Sequence, residues 1–229
     1  MSITSLRDAR GFTMIELLVA SVTMVIVLGG AVAITSQLQQ GYRRQLEDSA
    51  AEQEARYALD WIGRYLRGAS NDPYGKATNP GTTACPAAGK EIRGIEFDPD
   101  LDGEDNDVRL MTDANPPDGL FGGAAGACNQ ANEDVTISLD SVNNTIMFLD
   151  NNTGGAVSTR TDTVIEDLVF VFRNSDHLPA DGLDTSVAAN QAQVFFVEAR
   201  ITIRTRTIDA TTGQPETRTL SSEVKVRSR

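Results

Sequence analysis

Between Phe12 and Ile34 the chain carries an apolar run broken by a single charge, Glu16, and preceded by a short basic segment that ends in Gly11. At 1.5 Å rise per residue, a helix of roughly 22 residues just spans a hydrocarbon core of about 30 Å. The run is therefore long enough to cross a membrane. A carboxylate inside such a helix costs on the order of 2.5–3.5 kcal/mol at the bilayer centre and less toward the interface, so Glu16 needs a partner. Arg7 and Arg10 before the run place the amino terminus in the cytoplasm and the rest of the chain outside; Arg43 and Arg44 beyond the span weaken this asymmetry.

An ordinary secretory signal has its small-residue cleavage site after the apolar core. Here the small residue, Gly11, comes before it, so a cut at Gly11 leaves the apolar segment on the mature protein with Phe12 as its new terminus. The stretch Gly11-Phe12-Thr13-Met14-Ile15-Glu16-Leu17-Leu18-Val19-Ala20 resembles the prepilin cleavage and methylation motif of type IV pilins and type II secretion pseudopilins. The resemblance implies that a prepilin peptidase cuts after Gly11 and methylates Phe12, and that the mature chain moves from the bacterial inner membrane into a filament of pilins or pseudopilins. It further implies that Glu16 pairs with the terminal amine of a neighbouring subunit. Opposite charges in a low dielectric attract strongly, whereas either alone in lipid is penalised, so such a pair favours assembly.

The remainder is large enough for one folded domain of ordinary size. Removing the leader, whose Arg7, Arg10 and Asp8 carry a net positive charge, makes the formal charge of −12 still more negative. A surface this acidic repels phosphate backbones, and no direct nucleic-acid binding is expected. Cys85 and Cys128 fall in the exported part, where a pair reads as a disulfide closing a loop of about 44 residues, with roughly 3–4 kcal/mol of stabilisation in the chain-entropy model. The alternative is two buried thiols.

The organisation expected is a leader at 1–11, the transmembrane part of a helix at 12–34, an amphipathic part at 35–70, and a β-rich domain at 71–229 outside the cytoplasm. Gly29-Gly30 marks a place for a local bend, a melted turn or close helix contact. No proline occurs between Phe12 and Asp72, whereas major pilins often carry one mid-span, which points to a minor component. Past Thr35 the pattern is polar, and Glu52 with Arg56 forms a favourable four-residue pair. An apolar stripe then appears at Ala55, Ala58, Leu59, Ile62, Tyr65, Leu66 and Ala69, with Trp61 at its edge. The run from Arg56 to Arg67 resembles the corresponding helix of PilW-type minor pilins and J-type pseudopilins. Gly68 and Asn71-Asp72-Pro73 should end the helix.

Short β-prone runs follow at 91–97, 108–111, 135–139, 145–149, 164–173, 194–207 and 217–227, with hairpin signals at Ser141 to Asn144 and Asp209 to Gly213. In the strand around Arg200, Ile201 and Ile203 should face the helix, with Arg200, Arg204 and Arg206 outward. Residues 113–133 and 174–192 read as long loops. The fold class expected is α+β, a long amino-terminal helix packed on a mostly antiparallel sheet, pilin-like.

The acidic stretch from Asp98 to Asp107 is the best candidate for chemistry. Hard cations such as Ca²⁺ take six to eight oxygens at about 2.3–2.6 Å, and Asp98, Asp100, Asp102 and Gly103 match the first half of an EF-hand loop, with Glu104 beside them as a further ligand. Arg109 stands where the closing bidentate glutamate belongs, and the competing reading is a solvated acidic turn. No other cofactor is implied. Enzyme signatures are missing: the single histidine, His177, lies in a loop, and there is no metalloprotease, nucleophile-elbow or phosphate-loop motif. The function expected is that of a minor type IV pilin involved in adhesion, twitching motility or DNA uptake. The alternatives are a type II secretion pseudopilin and a membrane-anchored calcium-binding or adhesive module.

Overall fold

The computed structural model describes residues 12–71, 94–100, 102–113, 130–152, 157–162, 164–178, 193–208 and 213–226. The chain divides into two compact units, Met1–Leu46 and Glu47–Arg229. One helix, α1, covers Met14–Gly68.

In the first unit every described residue from Phe12 to Leu46 is exposed, the apolar ones included. The helix is long and apolar enough to cross a membrane. The serine and threonine hydroxyls along it are satisfied internally. Ser21 donates to the Leu18 carbonyl at 2.8 Å, Thr35 to Ala31 at 2.8 Å, Ser36 to Ala33 at 2.8 Å, and Thr23 to Val19 and Ala20 at 3.0 and 2.9 Å. Such back-bonding leaves no polar hydrogen directed outward from these side chains, which suits an apolar surrounding. The backbone stays helical through Gly29-Gly30, so of the bend, melted turn or close helix contact open to that pair the melted turn does not form. A Cβ at either glycine would meet nothing within 4 Å.

In the second unit the helix changes character. Ala51, Ala55, Ala58, Leu59, Ile62, Leu66 and Ala69 are buried, in agreement with the stripe read from the sequence. Tyr65 and Trp61 are half-buried at its edge, where Trp61 meets both Tyr65 and Phe148 edge-on with ring centroids 6.2 Å apart. Glu52 pairs with Arg218 across to the sheet rather than with Arg56 along the helix; Asp60–Arg64 is the four-residue pair that forms.

Among the described residues eight strands follow: β1 (Ile95–Phe97), β2 (Asp107–Met111), β3 (Asp134–Asp140), β4 (Thr145–Asp150), β5 (Val157–Thr159), β6 (Ile165–Arg173), β7 (Phe196–Ile208) and β8 (Pro215–Lys225). All pairings are antiparallel, but the strands form two sheets where one was expected: a five-stranded meander β1–β5 and a three-stranded meander β6–β8. The β3–β4 hairpin turns where the sequence signals it, with Asp140 Oδ1 accepting from Val142 and Asn143 N–H at 3.0 Å each. Short β5 has no counterpart in the sequence reading. The core lies between the second part of α1 and both sheets, with Ile137, Ile146, Phe170, Ile201 and Ile203 nearly inaccessible. Opposite Ile201 and Ile203, Arg200 pairs with Glu198 and Arg204 with Glu166. The Arg206 side chain lies outside the described residues.

Gly68 is the last helical residue, but the left-handed residue that turns the chain out of the helix is Ser70, at φ 61°. The Ser70 N–H donates to the Met111 carbonyl at 3.0 Å, and Asn71 and Asp113 exchange two further bonds at 2.9 and 3.1 Å. Gly94 packs so closely here that a Cβ would stand 1.8 Å from Ser70 Oγ, and its φ of +81° is one that only glycine adopts freely.

Candidate functional site

Two places in the molecule hold the residues singled out from the sequence. At the amino end Gly11 lies outside the described residues, and Phe12 is 87% exposed. Thr13 precedes the first helical residue, and three residues on Glu16 turns back toward it. Glu16 Oε2 accepts from the Thr13 backbone N–H and hydroxyl, both at 3.0 Å, and Thr13 Oγ1 accepts from the Glu16 N–H at 3.3 Å. This is a capping box: it satisfies amides that the helix start leaves open and sets a negative charge at the positive end of the helix dipole. Glu16 thus has a partner within its own chain. The Thr-x-x-Glu spacing is visible in the sequence, but the sequence reading gave Glu16 only an intermolecular role.

The second place is the β1–β2 connection. The pairing Ile95↔Leu110, Glu96↔Arg109, Phe97↔Val108 runs out at Asp98 and Asp107, which therefore stand at the two ends of the connecting loop. Asp98 has φ 46° and Gly103 φ 85°. Asp98 Oδ1 accepts from Asp102 N–H at 2.9 Å and Oδ2 from Gly103 N–H at 3.1 Å, which curls the loop over the Asp98 carboxylate. A carboxylate oxygen from each of Asp98, Asp100 and Asp107 lies within 4.8 Å of the other two.

Two of the four ligands expected from the sequence are elsewhere. Asp102 Oδ1 caps the Glu104 N–H at 2.8 Å, and Glu104 Oε2 accepts from the Asn106 side chain at 2.6 Å. Both belong to the exposed tip of the loop, whereas Asp98 and Asp107 are brought together by the strand ends at which they stand. The place of Asp102 and Glu104 is taken by Asp107, whose membership depends on hairpin register and not on loop spacing. Asp107 is only 3% exposed, and its Oδ1 has no hydrogen-bond partner among the described residues. Burial, reinforced by the charges of Asp100, Asp98 and Asp102, pushes its carboxyl up to about 7. Arg109 does not relieve it. Its guanidinium forks onto buried Asp134 at 2.7 and 2.5 Å and reaches Glu96 at 3.5 Å.

The loop is fastened to both sheets. Asp105 carbonyl accepts from Phe170 N–H of β6 at 2.8 Å, and Asn106 carbonyl from Leu139 N–H of β3 at 3.3 Å.

Cys85 and Cys128 lie outside the described residues, and with them the expected disulfide. His177 stacks on Phe196 with centroids 4.0 Å apart, its Nδ1 3.5 Å from Glu223. A shallow groove of about 270 Å³ is bounded by Glu47, Asp48, Asn144, Glu166 and Arg204, with Arg204 already paired to Glu166 at 2.6 Å. No protein-family model, no curated protein and no solved structure matches the chain.

Proposed function

We propose that this protein is a minor type IV pilin, an assembly subunit anchored in the inner membrane, cut by prepilin peptidase after Gly11, methylated at Phe12, and joined to other pilins through its amino-terminal helix. The observation that supports the reading most is the make-up of α1. Its first part exposes an apolar run from Phe12 to Ile34 whose serine and threonine hydroxyls bond within the helix, and its second part is a core element of a β-rich domain. A chain built this way exports a folded domain while keeping an apolar rod for lipid or for other rods of the same kind. The capping box refines the part played by Glu16: Oε2 is engaged by Thr13, and the carboxylate is held at the helix start, beside the terminus that cleavage would create.

Intact mass and amino-terminal sequencing of the protein from its native membrane test the reading. A mature chain beginning at methylated Phe12, absent when Gly11 is replaced by a bulky residue, supports it; an intact terminus, or a cut beyond Ile34, overturns it. Glu16→Gln keeps an acceptor for Thr13 but removes the charge. The variant is expected to be processed normally and lost from filaments. Co-purification of the mature protein with secretion pseudopilins in place of pilus subunits would assign it to the J-type class.

A further inference from the structure

We infer that the β1–β2 connection is a calcium site, with Asp98, Asp100 and Asp107 as its protein ligands. Three carboxylates from two different segments converge at the end of one hairpin, and their nearest oxygens lie within 4.8 Å of one another. Acidic loops on a surface normally splay apart. Here one member cannot, because Asp107 is the first residue of a core strand, 3% exposed, with its Oδ1 buried and without a hydrogen bond among the described residues. Leaving a charged oxygen in that state costs free energy that a cation recovers.

The donor set also bears on the choice of cation. Calcium takes six to eight oxygens in flexible geometry, whereas magnesium demands near-ideal octahedral geometry and gives up its water reluctantly. Three carboxylates brought together from a loop and a strand end suit the more tolerant ion. An all-oxygen donor set excludes a preference for softer metals. The second carboxylate oxygens and water supply the remaining places, and three carboxylates on a surface-connected loop suit a site of about 10⁻⁴ M affinity, in the range of extracellular modules.

Occupancy would act on more than the loop. The backbone between Asp100 and Asp107 carries the Asp105 bond to β6 and the Asn106 bond to β3, so an ion that fixes the loop also fixes the junction of the two sheets.

The test uses the full chain in detergent micelles, stripped with chelator and dialysed against radioactive calcium chloride. Binding of about one ion per chain, with a calcium-dependent rise in melting temperature that magnesium does not reproduce, is expected. Asp107→Asn and Asp98→Asn should each weaken binding by about tenfold or more. Asp107→Asn should also melt in chelator no lower than the parent, because it removes the buried charge. Absence of stoichiometric binding at millimolar calcium, equal response to magnesium, or unchanged affinity in both variants would overturn the assignment. Should Asp107→Asn fail to fold, Asp98→Asn and Asp100→Asn, both less buried than Asp107, decide the matter by the same readouts.

Discussion

The two parts of α1 are the same secondary structure under opposite demands. From Phe12 to Leu46 every residue is exposed, and Ser21, Thr23, Thr35 and Ser36 turn their hydroxyls inward to the helix's own backbone. From Glu47 to Gly68 the apolar stripe is covered and polar groups reach across: Tyr65 to Asn132 at 3.2 Å, Glu54 to the Asp162 N–H at 3.3 Å, and Glu52 to Arg218. A helix propensity shared along the whole length says little about stability. What differs is who supplies the cover. The second part finds it in its own chain, and the first has none among the described residues.

The sharpest way to break this comparison is to make one truncation in both parts. Ile62→Ala should lower the unfolding free energy of the domain by about 2–5 kcal/mol, since Ile62 is fully buried. Ile26→Ala, at an exposed position, should leave it within about 0.5 kcal/mol. Chemical denaturation of the two variants in micelles checks the pair, and equal effects would remove the distinction. The converse substitution tests the first part alone. Val25→Lys should cost about 2.5–3.5 kcal/mol of insertion and move protein out of the membrane fraction, with the domain's melting unchanged.

A smaller effect sharpens the role of the capping box. Thr13→Ala removes the side chain that Glu16 and the helix start share, and should destabilise the first turns by about 0.5–2 kcal/mol, read as faster amide exchange at residues 14–17. The smallest concerns the sheet face turned away from the helix. The Arg200 and Arg173 guanidinium groups hold Glu198 down to about 2, below its ordinary 4.5. A depressed carboxyl contributes stability that is complete above the unfolded value and is lost as pH falls toward the folded one. Melting temperature should therefore decline between about pH 4.5 and 2, and the Glu198→Gln variant should show a flatter decline there.

Much of the architecture was readable in the residues because it depends on local period. The stripe from Ala55 to Ala69 and the alternation around Ile201 and Ile203 are both set by neighbours a few residues away. The division into two sheets was not readable. Where one sheet ends and the next begins depends on which strands pair, and that is decided by tertiary packing rather than by the period within any one strand. Strand β5 is three residues long with a single apolar side chain, Val157, too little to show a period. In the candidate site, Asp98 and Asp100 were found by spacing within a loop. Asp107, the last residue of the acidic stretch, was not read as a ligand because it belongs to the site through the β1–β2 register, which no loop motif encodes. Thr13 was passed over because an apolar run with one acid invites a membrane explanation before a capping one.

The exit of α1 has a mechanical consequence. Tension applied to the carboxyl end of the helix arrives at Ser70 and Asn71, which are bonded to Met111 and Asp113 at the end of β2, an interior strand held between β1 and β3. The load therefore enters the sheet through its middle, where yielding requires several backbone bonds to shear together. An edge strand would peel away one bond at a time. A protein attached in this way can be pulled by its helix without its domain being unravelled from that end.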